Sequence, residues 1–331
     1  MKFLGAVLSV GICLGAPSAL AADKVSFGTN WLAEAEHGGY YQAVADGTYA
    51  KYGLDVTIVQ GGPQANNELL LAAGRLDFYM GGNLLLAFDA VVRNVPILVV
   101  AAHFQKDPQV MMSHPGVGLD KWSDLPKATA FISKEGLASF YQWMKSAYGF
   151  REENVKPYTF NPGPFIADTN SIQQGYVTSE PFAVEREGHF KPNIFLLADQ
   201  GYATYATTVE TRGDLVANHP DIIQRFVDAS AVGWYHYLYG DNSKANELIK
   251  TDNPDISDDQ IAFSIDELKH HGVVDSGDTL TLGIGAMTDA RWKDFFDKMV
   301  EIGMVDARID YRRAYTLRFV NKGVGVDLRT K

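Results

Sequence analysis

The chain has 331 residues, 46% of them hydrophobic and 21% charged, with 29 basic against 40 acidic residues and a formal net charge of −11. That composition excludes disorder, collagen and coiled coil, and the length is that of two lobes or domains, each with its own core. The acidic balance argues against nucleic acid and anionic lipid as partners.

The amino terminus has the pattern of an export signal. Met1-Lys2 precedes a mostly apolar run over residues 3–16, then Pro17-Ser18 and the small-x-small sequence Ala19-Leu20-Ala21. Cleavage after Ala21 is expected. Cys13 is the sole cysteine. It falls inside that segment, where the bulky Ile12 before it makes a poor lipoprotein site. The mature chain is therefore expected to hold no thiol for a disulfide, a nucleophile or a thiolate metal site. No later apolar run reaches 18 residues; the closest, 83–104, is interrupted by Asp89 and Arg93.

From Lys24 onward, short β-branched or apolar runs alternate with helical spacing. Residues 25–28 predict a strand ending at Asn30-Trp31, 38–52 a helix stopped by Gly53, and 54–59 a strand running into Gly61-Gly62-Pro63. A helix over 66–73 follows, then a short strand over 77–80 ending in Gly81-Gly82-Asn83, a helix to Arg93 and a buried strand over 97–102. A second block repeats the alternation, with strands over 128–133 and 155–160 and a helix over 137–147. Weaker strand signals lie at 173–177 and 194–198. Alternation of this kind implies mostly parallel sheets covered on both faces. After about residue 218 helices take over. Asn218 is expected to cap 221–239, Ser257 to Gln260 forms a capping box, and Thr288 opens a helix with Trp292, Phe295, Phe296, Met299 and Val300 on one face.

Ligands of open α/β sheets bind beyond the carboxyl ends of the strands, where side chains and helix starts converge. In the first block those ends present Trp31 with His37 nearby, Gly61-Gly62 and Asn83. In the second they present Glu135, Phe160-Asn161, and Tyr176 with Glu180. Aromatic rings, amides and carboxylates without an arginine suit a flat, uncharged or cationic heteroaromatic guest. Each residue also has a plainer reading: Trp31 as core, His37 and Asn83 as helix caps, the glycines as tight turns, Glu135 as first-turn charge, Glu180 as an exposed residue before Pro181. Catalytic signatures are missing: there is no Gly-x-Ser-x-Gly, P-loop or His-Glu-x-x-His, and the adjacent His270-His271 are not spaced to share a helix face.

Several of these segments carry a family resemblance. Asn30-Trp31 with His37-Gly38-Gly39-Tyr40-Tyr41-Gln42-Ala43, Tyr52-Gly53-Leu54-Asp55-Val56 leading to Gly61-Gly62, Gly74-Arg75-Leu76-Asp77-Phe78, and Tyr176-Val177-Thr178-Ser179-Glu180-Pro181-Phe182 resemble the thiamine-pyrimidine-precursor-binding proteins of ABC importers. The likeness spans most of residues 24–240. It is specific for a superfamily that also includes riboflavin, taurine, alkanesulfonate and nitrate binders.

The resemblance implies a type II periplasmic binding protein: two α/β lobes with a hinge and a C-terminal helical tail. Lobe 1 is expected over 22–102 and 200–331 and lobe 2 over 103–199, with crossings near Ala102 and at 200–205. It also implies ligand held between Trp31 and second-lobe residues, with Glu180 as a polar anchor. The full set of expected contacts is Trp31, His37, Tyr41, Gly62, Asn83, Glu135, Phe160, Asn161, Tyr176 and Glu180. No catalytic residue, metal or cofactor is expected. The expected partners are a small-molecule ligand and an inner-membrane ABC permease, with the protein itself a periplasmic monomer. The related eukaryotic pyrimidine synthase uses a cysteine-rich motif, which the mature chain lacks. An amino-pyrimidine thiamine precursor is the expected guest, with riboflavin or a sulfonate as alternatives; an enzyme or a ligand sensor on the same fold is the rival of another class.

Overall fold

A computed structural model describes residues 21–62 and 64–329. Residues 1–20 of the expected export signal, Cys13 among them, lie outside the described residues, as does Pro63. Among the described residues ten strands build two five-stranded sheets. The first joins β1 (Asp23–Gly28), β2 (Leu54–Val59), β3 (Phe78–Asn83), β4 (Ile97–Phe104) and, from far along the chain, β10 (Ala206–Arg212), in the order β2-β1-β3-β10-β4. The second joins β5 (Gln109–Ser113), β6 (Thr129–Ile132), β7 (Val155–Pro157), β8 (Ser171–Tyr176) and β9 (Asn193–Leu196), in the order β7-β6-β8-β5-β9.

The expectation of mostly parallel sheets needs correction. β1 runs parallel to β2 and β3, but β10 is antiparallel to both β3 and β4. Likewise β6 is parallel to β7 and β8, while β5 is antiparallel to β8 and β9. The reason lies in the crossings. β4 ends at Phe104 with its carboxyl end towards the other lobe, so β5 enters the second sheet from that side and runs against its neighbours. β10 does the same on the return, starting with Ala206 opposite Asn83 at the end of β3.

Helices cover the sheets: α1 (Gly38–Ala45), α2 (Asn67–Ala72), α3 (Leu84–Val92), α4 (Phe140–Tyr148), α5 (Glu180–Gly188), α6 (Pro220–Tyr239), α7 (Asp258–His270) and α8 (Asp289–Glu301). The helix expected over 38–52 breaks because Gly47 takes φ 74°, a left-handed conformation open to glycine. Asn218 does not cap the long helix; it ends a separate short helix, Gly213–Asn218, and Pro220 opens α6 with its pre-set φ. Ser257 and Thr288 do cap, accepting from the amides of Gln260 at 3.2 Å and Arg291 at 3.4 Å.

The first lobe's core is aromatic. Phe226 of α6 stacks on Phe78 at 4.1 Å and on Tyr49 at 5.4 Å between ring centroids, with Phe27 and Tyr40 alongside. The tail packs on the same lobe through α8, whose Trp292 and Phe296 meet Phe88 of α3 edge-on.

Candidate functional site

Trp31 lies in the loop that leaves β1, and the end of β2 holds that loop in place. Gly61 N–H donates to Thr29 Oγ1 at 2.9 Å, Asn67 Nδ2 donates to Thr29 O at 2.9 Å, and Ala33 N–H donates to Gln60 Oε1 at 2.6 Å. Gly61 is required for this approach, because a Cβ there would lie 2.4 Å from Thr29 O. So Gly61 draws two backbones together, and Gly62 (φ 143°) turns the chain beside Leu32. The pair fixes the loop that carries the indole.

The indole faces the other lobe. Its ring centroid is 5.4 Å from that of Phe160, which in turn lies 5.4 Å from Tyr158. Phe160 is 57% exposed and has φ 61°, a strained conformation for a bulky residue. The strand expected over 155–160 accordingly stops at Pro157, and the turn swings the Phe160 ring out to the cleft. Contacts of this kind add about 0.5–1.5 kcal/mol beyond area burial.

Beneath the rings lie carboxylates from both lobes. Glu180 opens α5; its Oε2 accepts the Tyr176 amide at 2.7 Å and its Oε1 accepts the Tyr158 hydroxyl at 3.2 Å. Glu36, in the 3-10 turn Ala35–His37 of the first lobe, accepts from the Thr178 hydroxyl of the second. Glu34 begins the same turn. Burial first, then the charges of Glu36 and Glu180, hold the Glu34 carboxyl well above the usual carboxylate range. Burial pushes Glu36 up to about 7, against the Thr178 hydrogen bond and with the charge of Glu180 adding to the rise. Glu180 is raised as well, again by burial, with its hydrogen bonds opposing. Tyr176 is 37% exposed overall, but its hydroxyl end is desolvated and feels the negative charge of Asp107, Glu34, Glu180 and Glu36. The neighbouring charges that raise Glu34 and Glu36 are negative, those of Glu36 and Glu180 on the first and of Glu180 on the second. A group that brings positive charge or several N–H donors would relieve that repulsion.

His37 supplies no such charge. It is fully buried, burial lowers its imidazole to about 3, and its Nε2 lies 3.4 Å from Asn30 Oδ1. Tyr41 is also turned away: its hydroxyl donates to Asp252 Oδ2 at 2.7 Å, tying α1 to the tail. Asn83 takes the plainer role, capping α3 by accepting from Leu85 N–H at 3.1 Å. Asn161 folds back on its own turn, accepting from Gly163 N–H at 2.9 Å, next to Phe160. Glu135 is exposed in the first turn of the helix Lys134–Ala138 and shares no hydrogen bond with the glutamates among the described residues. The structure thus brings together Trp31, Phe160, Tyr176 and Glu180 of the expected set. It adds Glu34, Glu36, Tyr158 and Thr178, which sequence reasoning missed. The overlooked signal was Glu34-Ala35-Glu36 just before His37-Gly38-Gly39: acidic residues alternating with alanine beside an apolar motif.

Among the described residues no group of three or more His, Asp or Glu side chains is arranged to hold a metal ion, and no helix is long and apolar enough to cross a membrane.

Comparison with known proteins places the chain. A family model described as NMT1/THI5 like matches residues 34–243. The riboflavin-binding protein RibY of Chloroflexus aurantiacus is 23% identical over 314 residues, covering 91% of this chain and 87% of that protein. Among solved structures, the periplasmic aliphatic sulphonate binding protein SsuA of Escherichia coli superposes with a TM-score of 0.63 at 12% identity, over 88% of this chain and 91% of that one. The desulfurization enzyme DSZB superposes with a TM-score of 0.57 at 12% identity, over 92% and 99%. At such identities the superpositions establish the fold: two α/β lobes of the periplasmic binding protein type.

Proposed function

The chain belongs to the NMT1/THI5-like family, and from that premise we propose that it is the periplasmic receptor of an ABC importer, closing two lobes over a small nitrogenous heteroaromatic guest such as an amino-pyrimidine thiamine precursor. The lobes would move about the crossings at 105–108 and 197–205 and, once shut, dock on an inner-membrane permease. One observation carries the reading of the guest: Glu34 and Glu36 of one lobe face Glu180 of the other beside a Trp31–Phe160 ring pair, and the charges that raise Glu34 and Glu36 come from other glutamates.

An amino-pyrimidine offers an exocyclic amine and a basic ring nitrogen, and a carboxylate accepts from both at once. The ring faces supply stacking area at small entropic cost. Trp31 and Phe160 now touch each other; a flat guest between them parts the rings to about 7 Å, two van der Waals contacts in place of one. Ligand that touches both lobes only in the shut form shifts the open–closed equilibrium by its differential affinity. A second reading, riboflavin, is favoured by the name of the Chloroflexus relative, which shares 23% of its residues with this chain. A sulfonate is disfavoured, since the titratable groups that meet beside the rings are carboxyls and not cations.

The test is native mass spectrometry of freshly purified protein, followed by thermal shift with 4-amino-5-hydroxymethyl-2-methylpyrimidine, riboflavin and an alkanesulfonate. At a hundredfold excess over Kd, a true ligand stabilises by about 2.7 kcal/mol. Stabilisation by the sulfonate alone overturns the proposal.

A further inference from the structure

The tail does more than cover the first lobe. Just before α7, Asn253 Nδ2 donates to Ala33 O at 2.9 Å, and Gln60 Nε2 donates to Asp252 O at 3.0 Å, fastening the tail to the loop that carries Trp31 and Glu34. α7 then leans on the second lobe. Its Phe263 ring lies 5.5 Å from Phe182 of α5, and Ser264 Oγ donates to Thr178 O at 2.7 Å. Just past α7, Val273 O accepts from Gln105 N–H at 2.7 Å and Lys106 N–H at 3.2 Å, on the first crossing. α7 is a strap fastened to the first lobe at its start, to the second lobe along its middle and to the first crossing just past its end.

We propose that Thr178 is a positioning residue whose two bonds latch the closed form: its hydroxyl donates across the cleft to Glu36, and its carbonyl is held by Ser264 of the strap. Glu36, Thr178 and Ser264 are 3%, 0% and 2% exposed, so the relay is shielded from water while the lobes are shut. Parting the lobes breaks the Thr178–Glu36 bond, because its partners stand on different lobes. Glu180 lies two residues beyond Thr178, so the latch also sets where the second-lobe carboxylate stands relative to the first-lobe pair. The closed population thus depends on a contact made without ligand, and affinity scales with that population. The latch rests on the reading of a closing cleft given above.

The experiment measures lobe separation without ligand. In the full chain carrying Cys13→Ser, spin labels at Lys51→Cys and Lys127→Cys, exposed positions on opposite lobes, report the distance by dipolar spectroscopy. Thr178→Val keeps the shape and deletes the hydroxyl; it is expected to move the distribution to longer distances, lowering the closed-to-open ratio about tenfold. Thr178→Ser restores the hydroxyl and is expected to restore the parent distribution. Ser264→Ala is expected to shift it in the same direction as Val, and stands in should Thr178→Val fail to fold. A Thr178→Val or Ser264→Ala distribution that coincides with the parent overturns the latch, as does a Ser variant that behaves like Val. Failure of the closing cleft itself reads out separately: the longer Thr178→Val distance would then stay fixed on adding the amino-pyrimidine or riboflavin, where a closing cleft returns it towards the parent's.

Discussion

Trp31 stands on a backbone held through Thr29, Ala33 and Gly61, yet its ring is only partly buried and spends its contact on Phe160. Removing the ring therefore costs binding more than folding. Trp31→Ala is expected to weaken the amino-pyrimidine about 30- to 100-fold, the equivalent of 2–3 kcal/mol of lost aromatic burial, with a melting temperature within a few degrees of the parent. Calorimetric titration beside a thermal melt checks both halves. Glu180 carries a double duty, accepting from the Tyr176 amide and the Tyr158 hydroxyl. Glu180→Gln keeps one acceptor oxygen and removes the charge, so it should cost an amine-bearing guest at least tenfold while sparing any sulfonate binding. An equal loss for both ligands would remove its role as anchor. Glu36 contributes one part of the pH dependence, which its own substitution isolates. Its carboxyl titrates near 7 in the folded protein and near 4.5 in the unfolded chain, so the folded state binds the extra proton between those values. The stability that this group contributes is full below about pH 4.5 and is lost as pH rises to about 7. Glu36→Gln removes that slope: its stability relative to the parent should climb by up to about 3 kcal/mol from pH 4.5 to 7.5, as urea titrations at each pH would show.

At the scale of elements, the closest packing is that of α1 on α6, and glycines make it possible. A Cβ on Gly233 would lie 2.2 Å from Gly39 O, a backbone atom that cannot swing aside, whereas a Cβ on Gly39 would strike the Trp234 ring. Gly233→Ala is accordingly expected to destabilise by about 2–3 kcal/mol, measured by urea unfolding; a neutral outcome would mean the two helices slide apart freely. The His-Gly-Gly motif thus packs α1 on α6, and the polar atoms of His37 and Tyr41, both expected at the site, lie against Asn30 and Asp252. Elements whose pattern is apolar were legible: β2 matches residues 54–59, and the helices opened by Ser257 and Thr288 start where those caps stand. β10 was not, because Ala206–Arg212 reads Ala-Thr-Thr-Val-Glu-Thr-Arg, yet six of its seven residues are buried. Those polar groups find partners inside, as Thr211 Oγ1 does on Asp77 O at 2.7 Å. Trp31 and Glu180 of the candidate site were legible because each follows a strand, Trp31 in the loop after β1 and Glu180 at the start of the helix after β8. The Glu36–Thr178 bond was not, because it joins residues 142 apart that meet only when the lobes do.

For the molecule as a whole, everything turns on two strands of backbone between the lobes, which the Lys106–Asp199 ion pair at 3.0 Å and the Arg291 side chain tie together. Arg291 of α8 donates through Nη1 to Gln105 Oε1 at 3.3 Å and through Nη2 to Gln105 O on the first crossing, and through Nη2 to Thr204 O at 3.3 Å on the second. Its guanidinium also lies 4.0 Å from the centre of the Tyr205 ring. Gln105 extends the clamp by donating through Nε2 to Ala102 O at 3.1 Å and Ala286 O at 2.9 Å. A planar fork with several donors satisfies carbonyls on both segments at once, whereas an ammonium offers one compact point of charge. Arg291→Lys should therefore behave nearly as badly as Arg291→Met, each losing about 2–4 kcal/mol of stability by urea unfolding, because the carbonyls of Gln105 and Thr204 lose a buried donor. Affinity should fall in parallel, since crossings that no longer hold a fixed geometry present the Trp31 and Glu180 sides of the cleft in a spread of orientations. A lysine variant as stable as the parent would show that the two crossings keep their spacing without the fork, and would move the seat of the hinge to the strands themselves.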